Sequence, residues 1–303
     1  ALRLGSPSGP PALLPSARAL AHGGAGGGAS RPSRGARKRR AEAMGQTTAC
    51  CSSAEKASLA KASSPVEAAG RAPGAEEGEV VRSFPDGSRY EGQLNGGQKH
   101  GKGKFLYPDG DMYEGEWLNG KANGTGVYAS KQSRYEGEWQ NDLKHGKATE
   151  VWDDESRYAG TYFNGQKHGV GTFKWPDGSI YEGEFRNNNV EGIGKFLWRD
   201  GRAYEGQWID NRMHGEGKYT WPNEAGEGWS KMYEGQYVND LKEGEGAFTW
   251  ADGRKFRGQW KDGKQHGEGC FRTAEGLDRP GVWRGGVRVA FPERRVDEDE
   301  GED

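Results

Sequence analysis

Residues 158–180 read Tyr-Ala-Gly-Thr-Tyr-Phe-Asn-Gly-Gln-Lys-His-Gly-Val-Gly-Thr-Phe-Lys-Trp-Pro-Asp-Gly-Ser-Ile, and variants of this unit fill much of the 303-residue chain. Its opening Tyr-x-Gly, or a near equivalent, begins at Tyr90, Tyr113, Tyr135, Tyr158, Tyr181, Tyr204, Tyr233 and Phe256, at spacings of 23, 22, 23, 23, 23, 29 and 23 residues. Self-similarity at a fixed period of this size is the mark of a repeat array. Two residues beyond each glycine stands a ring (Trp117, Trp139, Tyr162, Phe185, Trp208, Tyr237 or Trp260), except for Leu94 in the first unit. A polar loop of Asn, Asp or Gly follows, then a segment such as His100-Gly101-Lys102-Gly103, two more rings as in Phe173-Lys174-Trp175, and a Pro-Asp-Gly turn.

The spacing dictates local structure. Tyr, Gly and Trp at alternate positions, separated by Glu or Gln, put rings on one face of a strand and charges on the other. Gly171, Phe173 and Trp175 repeat that alternation, so each unit is expected to be a β-hairpin. Pairing the two strands about the Asn/Gly loop is expected to set Trp against Gly, Gly against Phe and Tyr against Trp. Each large ring then lies beside a glycine. The Pro-Asp-Gly between units suits a type I turn with Pro at its second position and a positive-φ glycine after it.

Composition agrees. Glycine makes up 52 of the 303 residues and the hydrophobic residues only 32%, which rules out a conventional aliphatic core and a mainly helical chain, since each interior glycine costs a helix about 1 kcal/mol. The fold class expected is all-β.

Tandem Tyr-Glu-Gly-Glu-Trp, Asn-Gly and His-Gly-x-Gly units resemble the MORN family (membrane occupation and recognition nexus). The resemblance spans residues 80–291 and implies an elongated, twisted, single-layer antiparallel sheet. Ala148 and Glu150 depart from it by replacing a glycine and a ring, and six extra residues fall between Trp221 and Tyr233, expected as an enlarged turn at residues 223–231. Arg279-Pro280-Gly281-Val282-Trp283 resembles a degenerate ninth unit, closed by residues 287–291 as a capping strand.

Outside the array, residues 1–43 carry eight Lys or Arg against one Glu, and residues 292–303 carry seven acids against two Arg. With the overall charge at −2, residues 44–291 sum to −4. That body is no basic surface for nucleic acid. Residues 1–43, with Arg37-Lys38-Arg39-Arg40, suit a transit peptide, a nuclear signal or upstream sequence. Residues 1–79 lack any hydrophobic period and are expected to be disordered, with residues 44–79 a small-residue linker beginning Met44-Gly45-Gln46-Thr47-Thr48-Ala49-Cys50-Cys51. Initiation at Met44 would expose Gly45 for N-myristoylation, with Cys50 and Cys51 as palmitate acceptors. Two acyl chains give stable membrane attachment where one does not. Residues 292–303 read as an acidic tail, and three cysteines, two of them adjacent, favour a reducing setting.

Several patterns suggest chemistry and give way to structural readings. His100, His145, His168, His214 and His266 share one repeat position, but equivalent positions in successive hairpins lie about 10 Å apart, too far to share an ion. The row Glu91, Glu114, Glu136, Glu182, Glu205 and Glu234 falls on the polar face, Gly192-Ile193-Gly194 opens no helix, and Cys270 reads as a partly buried thiol. No metal or cofactor is expected. The candidate binding surface is the ring face, carried by Tyr113, Trp117, Tyr135, Trp139, Trp175, Tyr181, Trp198, Tyr204, Trp208, Tyr233, Trp250 and Trp260.

The functional expectation is a non-enzymatic scaffold for protein partners, cytoplasmic and membrane-associated or cytoskeletal, with a homodimer and acyl-chain membrane contact among the expected associations. The resemblance admits two alternatives: a cytoskeletal or axonemal assembly component such as a radial-spoke-head-like protein, or the regulatory repeats of a phosphatidylinositol phosphate kinase-like or lysine methyltransferase-like enzyme.

Overall fold

The computed structural model describes residues 78–224 and 228–290. They form one 19-stranded sheet. Its strands are β1 (Glu79–Ser83), β2 (Arg89–Asn95), β3 (Gln98–Leu106), β4 (Met112–Leu118), β5 (Lys121–Ala129), β6 (Ser133–Gln140), β7 (Leu143–Trp152), β8 (Arg157–Phe163), β9 (Gln166–Lys174) and β10 (Ile180–Arg186). They continue as β11 (Asn189–Leu197), β12 (Ala203–Ile209), β13 (Arg212–Pro222), β14 (Trp229–Val238), β15 (Leu241–Trp250), β16 (Lys255–Lys261), β17 (Lys264–Arg272), β18 (Asp278–Arg284) and β19 (Val287–Ala290). Every pairing is antiparallel and joins strands consecutive in sequence, as in β4–β5, β5–β6 and β18–β19.

Both turn types follow from composition. Asn119 and Gly120 take φ of 50° and 82°, a two-residue type I′ turn whose twist matches the strands it joins. At the opposite edge the Gly178 N–H donates to the Trp175 carbonyl at 3.0 Å with Gly178 at φ 92°, while the Asp177 carboxylate accepts the Ser179 N–H at 2.8 Å. This is the Pro-Asp-Gly turn read from the sequence.

The strand register departs from the sequence expectation. Gly115 faces Gly126 within its hairpin and Gly103 across to the previous one, and Tyr113 faces Tyr128 and Phe105. Glycine therefore opposes glycine and ring opposes ring, where Gly against Phe and Tyr against Trp were expected. A bulge causes the offset: the register shifts between Gly183 and Phe185, opposite Gly192 at φ 68°, and the Glu184 carboxylate accepts the Ile193 N–H at 2.9 Å. The two glycines of Gly-x-Gly thus have different tasks, Gly192 turning the bulge and Gly194 leaving space. That space is filled by the tyrosine of the same hairpin, not by a ring opposite: a Cβ on Gly194 would lie 2.5 Å from Tyr181 Cζ.

The enlarged turn is also shorter than expected. β13 and β14 lengthen to Pro222 and Trp229, so the connection narrows to residues 223–228. The degenerate ninth unit keeps its phase, with Gly281 facing Gly269 and Trp283 facing Gly267, while Arg279 takes the tyrosine position opposite Phe271.

Candidate binding surface

The tyrosines and tryptophans of the ring face interleave into a continuous ladder. Tyr113 meets Trp117 at 4.9 Å and Trp139 at 5.2 Å, and Tyr181 meets Phe185 at 5.2 Å and Trp208 at 5.7 Å, all edge-to-face. This geometry suits the ring quadrupoles and adds about 0.5–1.5 kcal/mol per pair beyond area burial. Many of the polar atoms pair within the sheet: Tyr181 Oη donates to the Glu184 carbonyl at 3.0 Å, and Trp208 Nε1 donates to the Gly194 carbonyl at 3.1 Å, whereas Trp152 Nε1 and Tyr237 Oη are buried without a hydrogen-bond partner among the described residues. A second ladder runs along the Pro-Asp-Gly edge through Phe173, Trp175, Phe196, Trp198 and Tyr219.

This packing decides which of the proposed binding residues a partner could touch. Tyr113, Tyr135, Tyr181, Tyr204 and Tyr233 are fully buried, and Trp117, Trp139, Trp175, Trp208 and Trp260 are at most 6% exposed. Trp198 and Trp250 are only partly buried. Gly45, Cys50 and Cys51 lie outside the described residues.

A row that the sequence reading passed over sits on the same face. Lys99, Lys144, Lys167 and Lys242 occupy the position before the histidine or its replacement and reach across the rings. The Lys242 ammonium lies 4.9–5.3 Å from the centroids of Trp221, Tyr233, Phe248 and Trp260. Burial pulls Lys99, Lys167 and Lys242 down to about 8, while the ring faces offset part of that desolvation. Burial likewise holds Tyr181 and Tyr237 above the ordinary tyrosine range.

Where Glu150 replaces a ring, the space becomes a buried polar cluster. Its carboxylate meets Lys144 Nζ at 2.5 Å and accepts from Tyr162 Oη at 2.6 Å and Ser133 Oγ at 3.1 Å. Ala148 beside it faces Gly137 and Gly160.

The histidines face away from the rings, with Phe163 between His145 and His168 at 5.4 and 5.7 Å. Among the described residues no group of three or more His, Cys, Asp or Glu could hold a metal, and no helix is long and apolar enough to cross a membrane.

The outer face is polar and open. Above β1 to β6 it forms a groove of about 810 Å³, walled by Glu91, Lys102, Lys104, Glu114, Glu116, Val127 and Glu136. A smaller one of about 480 Å³ lies over β15 to β18 beside Arg257, Glu268 and Cys270. Exposed ion pairs such as Lys104–Glu114 at 3.4 Å cross it, each worth about 0–1 kcal/mol.

Hairpin geometry and ring ladder agree with a direct comparison. The family model for the MORN repeat matches eight times, at residues 90–112, 113–132, 135–157, 158–180, 181–201, 204–225, 233–253 and 256–277. The chain belongs to the MORN-repeat family. No curated protein matches this MORN chain. Among solved structures, the TCP10 domain of Danio rerio CPAP in complex with a peptide of Danio rerio STIL is 13% identical, with 69% of this chain and 96% of that one covered and a TM-score of 0.36. The CPAP G-box domain is 14% identical, covering 68% and 100% at a TM-score of 0.29. The Drosophila melanogaster SAS-4 TCP domain, in complex with a proline-rich motif of Ana2, is 11% identical, covering 72% and 99% at 0.28.

Proposed function

We propose that this MORN array is a non-enzymatic scaffold that presents its outer face to extended segments of partner proteins, close to a membrane to which acyl chains on Gly45, Cys50 and Cys51 attach it. The observation that carries this reading is the closure of the ring ladders. The rings pack on one another, which leaves the array a self-supporting sheet with a groove over its first hairpins. Five carboxylates (Glu79, Glu91, Glu114, Glu116 and Glu136) and two lysines (Lys102 and Lys104) line that groove, so it favours an extended segment of net positive charge.

Membrane attachment is assigned to the acyl chains and not to the repeats, because residues 44–291 sum to −4 and each buried methylene of a chain contributes about 0.8 kcal/mol. Fractionation of cells expressing the full chain tests both halves. Gly45→Ala with Cys50→Ser and Cys51→Ser should move the protein to the soluble fraction. Glu91→Lys with Glu114→Lys and Glu136→Lys should leave it membrane-bound but strip its proximity-labelled partners. A lipidation variant that still sediments with membranes refutes the anchoring. Partner labelling indifferent to the three charge reversals refutes the groove.

A further inference from the structure

Charge is distributed unevenly along the array. Residues 78–253 carry 21 Lys and Arg against 29 Asp and Glu, whereas residues 254–290 carry nine against four. The last hairpins are a basic end on an acidic sheet. On their outer face stand Lys255, Arg257, Lys261, Lys264 and Arg284. Neighbouring Arg254 and Arg272 are paired with Asp252 and Asp278, but none of those five cations has an ion-pair partner among the described residues.

Two of them are set against each other. Lys261 and Lys264 are direct cross-strand partners, a placement that like charges disfavour. One hairpin earlier the same two positions hold Val238 and Leu241. Asp262 lies in the turn between them and gives its N–H to Glu243 at 2.9 Å, Glu268 faces Val282, and among the described residues none of these acids forms an ion pair with either lysine.

The chain runs on past Ala290 to Asp297-Glu298-Asp299-Glu300-Gly301-Glu302-Asp303, six acids in seven residues. The seven residues that follow Ala290, through Asp297, can span roughly 24 Å. The strands that carry Lys264 and Lys261 lie two and three places inward from β19, about 10–14 Å at normal strand spacing. Opposite charge and reach coincide.

We propose that the acidic segment 297–303 folds back onto the outer face of the last hairpins and is held there by Lys261, Lys264 and Arg284. The segment is a built-in counterion. It meets the basic end at the millimolar effective concentration that a short tether provides, and yields as salt screens the pairs.

Carbodiimide coupling of carboxylates to amines in the full chain, using a mixture of ¹⁵N-labelled and unlabelled protein, tests this. At low salt, peptides joining residues 297–303 to Lys261 and Lys264 should dominate, should carry a single isotope, and should fade by roughly 0.5 M salt, where the screening length is only a few ångströms. Links spread evenly over the lysines of the array, or links that persist in high salt, overturn the proposal. Mixed-isotope links overturn the fold-back and assign the contact to two copies. A second measurement is independent of the coupling chemistry. Asp297→Asn, Glu298→Gln, Asp299→Asn and Glu300→Gln together should raise the affinity of the full chain for an added peptide of residues 297–303 by about tenfold or more, and an unchanged affinity counts against the segment.

Discussion

Gly194→Val should unfold the middle of the array at a lower temperature, and the structure sets the size of the effect. The Cβ of any residue there would lie 2.5 Å from Cζ and 2.6 Å from Cε2 of Tyr181. Gly194 is absent from the positive-φ residues, so the cost is steric and not conformational. To make room Tyr181 must give up its edge-on contacts with Phe185 and Trp208 and its hydrogen bond to the Glu184 carbonyl. Two ring pairs at about 0.5–1.5 kcal/mol each and one hydrogen bond near 1 kcal/mol give about 2–4 kcal/mol, above the usual ~1–3 kcal/mol for overpacking. For an array of this length 3 kcal/mol corresponds to a fall in Tm of roughly 6–12 °C. A lone methyl should be milder, because Ala148 occupies the equivalent place in β7 while Tyr135 stays fully buried with its hydroxyl 2.7 Å from the Glu138 carbonyl. Calorimetry of Gly194→Val, Tyr181→Leu and the double variant is the assay. The double variant should lose at least about 2 kcal/mol less than the sum of the singles; strict additivity, or a single variant melting with the parent, would refute the slot.

Other perturbations test the remaining contacts. Burial pulls Lys242 down to about 8 from the usual 10.5 of a lysine, so the unfolded chain binds more protons between those values and stability should rise with pH across that window. Tyrosines held high by burial should reverse the trend above about pH 10, and Lys242→Met should raise Tm at neutral pH and flatten the rise in thermal melts. Glu150→Ala leaves the Lys144 ammonium without its carboxylate and should cost about 3–5 kcal/mol, whereas Lys144→Met with Glu150→Phe, which replaces the whole pair and restores the ring found elsewhere, should stay near the parent in denaturant unfolding. Asn211→Ala removes the acceptor of the Val190 N–H at 2.8 Å. It should cost about 1–2 kcal/mol, and hydrogen exchange should show the loss first at Val190.

The repeat was legible because period and alternation survive from unit to unit: hairpins, turn residues, ring face and the degenerate ninth unit all follow from them. Register was not, because a bulge depends on the φ of glycines such as Gly192, and two Gly-x-Gly glycines look alike in sequence though one turns the chain and the other houses Tyr181. Lys99, Lys144, Lys167 and Lys242 escaped notice because lysine reads as solvated. Counting back in twos from Gly103 through Gly101 to Lys99 would have placed it among the rings. The outer-face groove comes from twist and from side-chain lengths summed over six strands, which no single unit displays.

The two margins of the ribbon are not equivalent. Along one, the second residue of each type I′ turn after the first donates its N–H to a carbonyl of the preceding hairpin, as Gly120 does to Lys99 at 2.8 Å and Gly263 to Lys242 at 3.0 Å. Asp142 and Asp240 add a carboxylate to the N–H of Ala122 and Met213. That margin is a stitched seam, where a changed loop length would drop a stitch in the neighbouring unit as well as its own. The other margin is a selvedge with fewer backbone stitches, such as Asp153 N–H to the Gln132 carbonyl at 2.9 Å and Ala251 N–H to the Ser230 carbonyl at 3.0 Å, and the chain already shows its tolerance by carrying the longer connection at 223–228 with the ring ladder unbroken from Tyr219 through Trp221 to Phe248. Grafted epitopes, fluorophores or new binding loops therefore belong at the Pro-Asp-Gly turns, where the array can be lengthened sideways without being unpicked.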